Sequence, residues 1–195
     1  MNKNNKKIIV TFIVLFSFLA LFLVIKFDDK LFSKNTEQND ESENNISFVF
    51  DYSCPWCSVW MEEVYPEVNS LQNDYNIDFT IQSLAILNDD SLTLAKIDNN
   101  VKTHYPDDYI EYLSKVLSDL LHEEDLDLDH YIKETIAQFG FDQETVLQEP
   151  DTDLNRLTSE LVEDLNIESV PTVIVNDKKV TDPFDLKEIK EKLIK

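Results

Sequence analysis

Cys54 and Cys57 are the two cysteines of a 195-residue chain, and they stand in C-x-x-C spacing within Asp51-Tyr52-Ser53-Cys54-Pro55-Trp56-Cys57. Ser53 is a good N-cap and Pro55 suits a first helical turn, so the spacing predicts a helix that opens at the cysteine pair. Two sulfurs placed this way can close a disulfide, with the first facing outward and the second inward. The free N–H groups and the positive dipole end at a helix start favour a thiolate. They lower the pKa of Cys54 and make it a better leaving group. Exchange at such a pair passes through a mixed disulfide, with Cys54 as nucleophile and Cys57 as the thiol that resolves it. Asp51, just before the helix, can tune the pair by its charge or simply help to cap it.

Other uses of a cysteine pair fit less well. Zinc would need two further ligands, and His104, His122 and His130 do not stand in H-x₃₋₅-H spacing, so no metal is expected. A structural disulfide inside one helical turn would remove little chain entropy. A binding module that keeps both cysteines without redox turnover stays open as an alternative.

Far along the chain, Val170-Pro171-Thr172 follows an amphipathic helix and opens the apolar run Val173-Ile174-Val175. A cis peptide before Pro171 would let backbone groups face the cysteine pair and bond an extended substrate segment. Sequence physics alone does not establish the isomer.

The elements that position these residues are legible from periodicity. Ile46–Phe50 reads as a largely buried strand, and the stripe Val59, Trp60, Val64, Val68 and Leu71 predicts one helix running from the cysteines to about Asn73. Ile77–Leu84 alternates as a second strand. From Ala85 to about Gln148 the pattern is helical. It includes a helix over 107–121, one capped by Asp129 and stopped by Gly140, and a short one capped by Asp142. A helix over 153–165, the strand after Pro171, a turn at Asn176-Asp177, a short strand at 178–180 and a closing helix over 185–194 complete the order.

That order, β–α–β, a helical block, then α–β–β–α, is an α/β thioredoxin-like fold with an all-helical insertion at about 85–150. The run FVFDYSCPWC (48–57) resembles the F-x-D-Y-x-C-P-x-C signature of the DsbA-like thiol–disulfide oxidoreductases. IAQFGFDQETVLQ (136–148) and LVEDLNIESVPTVIVND (161–177) resemble the same family, so the similarity spans residues 46–195. The resemblance implies Cys54 as the reactive thiol, a cis-Pro171 loop (Val170, Pro171, Thr172) that contacts substrate, and no cofactor. It departs at Trp56, where well-known oxidases of the family carry His. An indole N–H can donate to a thiolate but cannot supply positive charge. Asp125-x-Asp127-x-Asp129 mimics the first half of a calcium loop, but His130 and Ile136 stand where Gly and Glu are needed, so a solvated turn is expected.

Residues 8–25 contain no charged side chain, and at about 1.5 Å per residue a helix there would match a bilayer core. Lys3, Lys6 and Lys7 precede the run, and no A-x-A-like site follows it, which predicts an uncleaved signal anchor (8–25) behind a short cytoplasmic tail (1–7). Residues 26–45 read as a polar tether to the domain at 46–195. The catalytic domain is thus expected outside a single-pass cell-membrane anchor, where disulfides persist.

Net charge is −22, from 17 basic and 39 acidic residues, which argues against nucleic-acid binding. A single glycine excludes G-x-G-x-x-G and Walker A phosphate loops. Residues 1–45 hold equal numbers of lysines and acids, so the whole −22 falls on 46–195, where it should favour cationic clients and oppose the Cys54 thiolate. The expected function is disulfide exchange, in the direction of disulfide formation, on secreted proteins held as mixed disulfides, with a membrane redox partner for re-oxidation. A reductase or isomerase direction is the alternative.

Overall fold

In the computed structural model, which describes residues 44–123 and 125–194, the central strand β1 (Asn44–Asp51) is buried on both faces. Ile46, Phe48 and Phe50 point into the main core, and Val49 points the other way. Such a strand is a near-continuous apolar run because neither face meets water. β1 pairs in parallel with β2 (Ile77–Leu84), Phe48 opposite Ile81, and antiparallel with β3 (Thr172–Val175), Phe48 opposite Val173. β4 (Lys178–Lys179) continues antiparallel from β3, giving the order β2-β1-β3-β4. The β3–β4 turn places Asn176 and Asp177 at φ 49° and 62°, the left-handed pair that a tight hairpin requires.

The strand already includes Asn44 and Asn45, ahead of the expected Ile46, and the Asn44 amide is itself an anchor. Nδ2 donates to the carbonyls of Tyr75 and Ile194, and Oδ1 accepts from the Ile194 N–H at 2.7 Å. The expected tail and anchor, and the tether as far as residue 43, lie outside the described residues. Among those described, no helix is long and apolar enough to cross a membrane.

The helix expected from the cysteines to about Asn73 is three: α1 (Pro55–Glu63), α2 (Tyr65–Ser70) and α3 (Gln72–Tyr75). Pro66 explains the first break, since it lacks the N–H that would bond the carbonyl one turn back and its ring crowds that carbonyl. On one face of the sheet Trp60 of α1 stacks on Phe48, ring centroids 4.0 Å apart, and its indole N–H donates to the Pro183 carbonyl at 2.8 Å. Ile167, together with Leu161 and Leu165 from the helix before it, covers the other face against Val49, Leu84 and Ile174.

The insertion comprises α4 (Asp89–His104), α5 (Tyr109–His122), α6 (Leu128–Phe139) and α7 (Gln143–Leu147). α5 packs on α1, so the insertion leans on the helix that carries the cysteines. α6 is capped by Asp127, not Asp129: the Asp127 carboxylate accepts from the His130 N–H at 3.1 Å, which uses up part of the apparent calcium loop. Gly140 ends α6 at φ 70°, where a side chain would be strained. α8 (Leu154–Asp164) leads to the Pro171 strand, and α9 (Leu186–Lys192), capped by Asp185, closes the described chain.

Candidate functional site

Cys54 is the N-cap of α1, and its extended backbone (φ −97°, ψ 107°) turns the chain from the end of β1 into the helix. Ser53, expected to cap, does something else: its hydroxyl donates to Asn88 Oδ1 at 2.9 Å. The cap position therefore belongs to the reactive cysteine, whose sulfur meets the helix N–H groups. Cys54 and Cys57 lie 3.2 Å apart, both as free thiols.

The two sulfurs are electrostatically unlike. The Cys57 thiol donates to the Cys54 sulfur, and with the backbone N–H groups of Cys57 and Trp56 this holds the Cys54 pKa down to about 7, against the opposing effects of burial and the Asp51 charge. Burial pushes the Cys57 thiol far up, and its donation to Cys54 raises it further. One member of the pair is thus a thiolate near neutrality while the other keeps its proton. Cys54 is also less open than its position suggests, at 7 % exposure against 0 % for Cys57.

The cover over Cys54 comes from the far end of the chain. The Val170–Pro171 peptide is cis, and the Cys54 Sγ donates to the Val170 carbonyl at 3.4 Å. Pro171 is buried, Thr172 Oγ1 donates to the Ser169 carbonyl at 2.6 Å, and Thr172 enters β3 opposite Val49. Every residue singled out around the cysteines and Pro171 is thereby brought to one end of the sheet.

Trp56 is 65 % exposed and sets its ring edge-on against Phe184, centroids 6.0 Å apart. Its backbone N–H, not its indole, lowers the Cys54 pKa. Pro55 is exposed in the first turn of α1, as its missing donor allows.

Asp51 does not cap α1. It is fully buried, and both oxygens are occupied: Oδ1 accepts from the Ser53 N–H at 2.8 Å and the Ser91 hydroxyl at 2.6 Å, Oδ2 from the Ile86 and Leu87 N–H groups at 2.9 and 3.2 Å. The Asp51 charge raises the pKa of both cysteines.

Sequence reasoning missed Ser91 and Asn88, which complete this cluster, because nothing local marks them. It also missed Asp98, a buried carboxylate that accepts from the hydroxyls of Tyr52 (2.7 Å), Tyr109 (2.9 Å) and Ser83 (2.7 Å). Burial raises its pKa, opposed by those three hydroxyls and by Lys102. Here a signal existed: Asp98 lies on the apolar stripe of α4 with Leu94, Ile97 and Val101, where an acid needs partners. Among the described residues no group of histidine, cysteine and acidic side chains is arranged to hold a metal ion.

Comparison with known proteins agrees with this geometry. The family model described as thioredoxin matches residues 39–195. Disulfide bond formation protein D of Bacillus subtilis (strain 168) is 25 % identical over 172 residues, covering 80 % of this chain and 73 % of its own length. Among solved structures, oxidised BdbD from Bacillus subtilis superposes with a TM-score of 0.54 at 21 % identity, over 78 % of this chain and 86 % of its own. The thiol–disulfide exchange protein alpha-DsbA2 from Wolbachia pipientis superposes with a TM-score of 0.60 at 23 % identity, over 86 % and 92 %. The chain belongs to the thioredoxin family, and within it is similar to proteins of disulfide bond formation and thiol–disulfide exchange.

Proposed function

We propose that the chain works outside the cell membrane, tethered by residues 8–25, and forms disulfides in secreted proteins through Cys54-Pro55-Trp56-Cys57. The observation that carries exchange at this pair is its asymmetry, a Cys54 pKa held near 7 beside a Cys57 thiol that stays protonated, while the direction of exchange rests on the relative. The Bacillus subtilis relative's name, disulfide bond formation protein D, supports this direction.

The cycle starts from the Cys54–Cys57 disulfide. A client thiolate attacks the Cys54 sulfur, the S–S bond breaks, and Cys57 leaves and takes up a proton. Cys54 is now joined to the client. A second client thiolate attacks the client's own sulfur and expels Cys54 as the stabilised thiolate. The client has lost two electrons and gained a disulfide, and the protein holds a dithiol. Re-oxidation is the same exchange in reverse, with a disulfide-bearing membrane protein as oxidant. During attack, the Val170 carbonyl and the backbone after Pro171 can pair with an extended client segment.

Two measurements test the reading. A Cys57→Ala variant of the full chain should accumulate mixed disulfides with secreted proteins, which a tethered binding module would not form. The reduction potential should lie near about −120 mV, and a value near about −270 mV would assign the reductase or isomerase direction instead.

A further inference from the structure

A cavity of about 260 Å³ opens beside Cys54 on the side of the insertion. Its near wall is Ser53 and Pro55, the two chain neighbours of the reactive cysteine, and its floor includes Leu94 of α4, Leu120 of α5 and Leu128 of α6. Leu120 and Leu128 are half-buried, so they present apolar surface to the opening. Ligand pockets run to about 300–1,000 Å³, and a smaller space with leucines on one side and a polar rim fits one side chain better than a cofactor. The exposed carboxylates of Asp90 and Glu123 also line it, beside Tyr52, Ser58 and Leu126, and none of the lining residues is basic. Trp56, next in the chain to Pro55, and Ile86 and Leu87, whose N–H groups Asp51 binds, are 65 %, 42 % and 51 % exposed.

We propose that this cavity is a client subsite that takes an apolar side chain close to the client's reacting cysteine, with a flanking Lys or Arg of the client meeting Asp90 and Glu123. The inference rests on Cys54 being the point of exchange. Charge complementarity chooses the occupant, because residues 46–195 carry 33 acidic against 11 basic residues and the cavity mouth repeats that bias locally. An acidic client would meet like charge at the mouth, which discriminates against it more than contacts alone would. Since the carboxylates are exposed, their attraction acts mainly on the rate of productive encounter and weakens with salt.

The test uses the full-length oxidised chain in mild detergent and three synthetic dithiol peptides that differ beside one cysteine: Phe-Arg, Phe-Glu and Ala-Arg. At low salt the Phe-Arg peptide should be oxidised about tenfold faster than Phe-Glu and several-fold faster than Ala-Arg, and the first gap should narrow at high salt. Replacing both acids (Asp90→Asn with Glu123→Gln) should bring the Phe-Arg and Phe-Glu rates together, with circular dichroism confirming the fold. A charge preference that survives the double substitution would assign it to the general acidity of the domain and overturn the subsite. Equal rates for all three peptides would overturn it while leaving the exchange reaction standing. Failure to oxidise any peptide or dithiothreitol would overturn the oxidoreductase reading itself.

Discussion

The Asp51 carboxylate accepts the Ser91 hydroxyl at 2.6 Å, joining the end of the strand that delivers the cysteines to the first turn of the insertion. The two residues are 40 positions apart, and the contact holds a negative charge where the chemistry asks for a thiolate. The protein thus sets the reactivity of Cys54 between opposing influences: helix N–H groups and the Cys57 thiol on one side, Asp51 and burial on the other.

Asp51→Asn should lower the Cys54 pKa below its present value of about 7 and make the disulfide more oxidising, because the opposing charge is gone. The substitution also turns an NH₂ group towards donors that now have an acceptor, at a cost of about 1–3 kcal/mol in stability. Alkylation rates against pH and the reduction potential read the first effect, and thermal unfolding reads the second. An unchanged alkylation profile would remove Asp51 from the tuning of the pair.

Alkylation of the reduced protein should be half-maximal near pH 7, with Cys54 modified and Cys57 not. Stability follows with a definite sign. The folded dithiol keeps Cys54 ionised from about 7, whereas an ordinary thiol ionises near 9.0, so the dithiol form gains stability as pH rises between those values. That gain is lost as pH falls through 7. Cys57 acts in the opposite sense at higher pH, because the unfolded chain can ionise a thiol that the fold holds protonated. The Tm of the dithiol form minus that of the disulfide form, measured from pH 6 to pH 10, should therefore rise to about pH 9 and then flatten or fall.

In Cys57→Ala the strongest influence lowering Cys54 is removed, so its alkylation midpoint should move up from about 7. Mixed disulfides form on this variant when its Cys54 thiolate attacks a client disulfide and expels a client thiolate, and they persist because no Cys57 thiol resolves them. A midpoint that did not move would mean that the helix N–H groups alone hold the thiolate.

Asp98→Ala leaves the hydroxyls of Tyr52, Tyr109 and Ser83 without their acceptor in the core, at about 1–3 kcal/mol for each that stays unpaired. Asp98→Asn keeps an acceptor oxygen for the two tyrosines and should be milder. Denaturant midpoints for the two variants check the order, and equal losses would contradict a hydrogen-bonding role.

Trp60→Phe removes the 2.8 Å donation to the Pro183 carbonyl while keeping a ring against Phe48, and should cost about 1–3 kcal/mol, from the unpaired carbonyl and the space the indole leaves in the core. Trp56 is then the remaining tryptophan of the chain. Its support, Phe184, sits one residue past the freed carbonyl, so its fluorescence should shift to the red as the loop loosens.

Much of the site was legible because its signals are local. C-x-x-C spacing, the Pro55 start and the helix behind it act within a turn or two, and alternation along Ile46–Phe50 and Ile77–Leu84 places the strands that carry them. Gly140 and the Asn176-Asp177 turn were readable for the same reason, since a positive φ is a property of single residues. Where a local rule had competitors, it misassigned partners. Ser53 could cap the helix or reach Asn88, and the fold chose Asn88; Asp51 could cap α1, but two N–H groups from the loop after β2 and the Ser91 hydroxyl arrived first. By itself, then, the sequence determined the cysteine pair at the start of a helix and the layered elements around it. Only the tertiary structure brought the Val170 carbonyl, 116 residues away, to 3.4 Å from the Cys54 sulfur, and only it enclosed Asp51 and Asp98. Periodicity and capping report on a few neighbouring residues, whereas the charge balance at a thiol is set by whatever packing carries into contact with it.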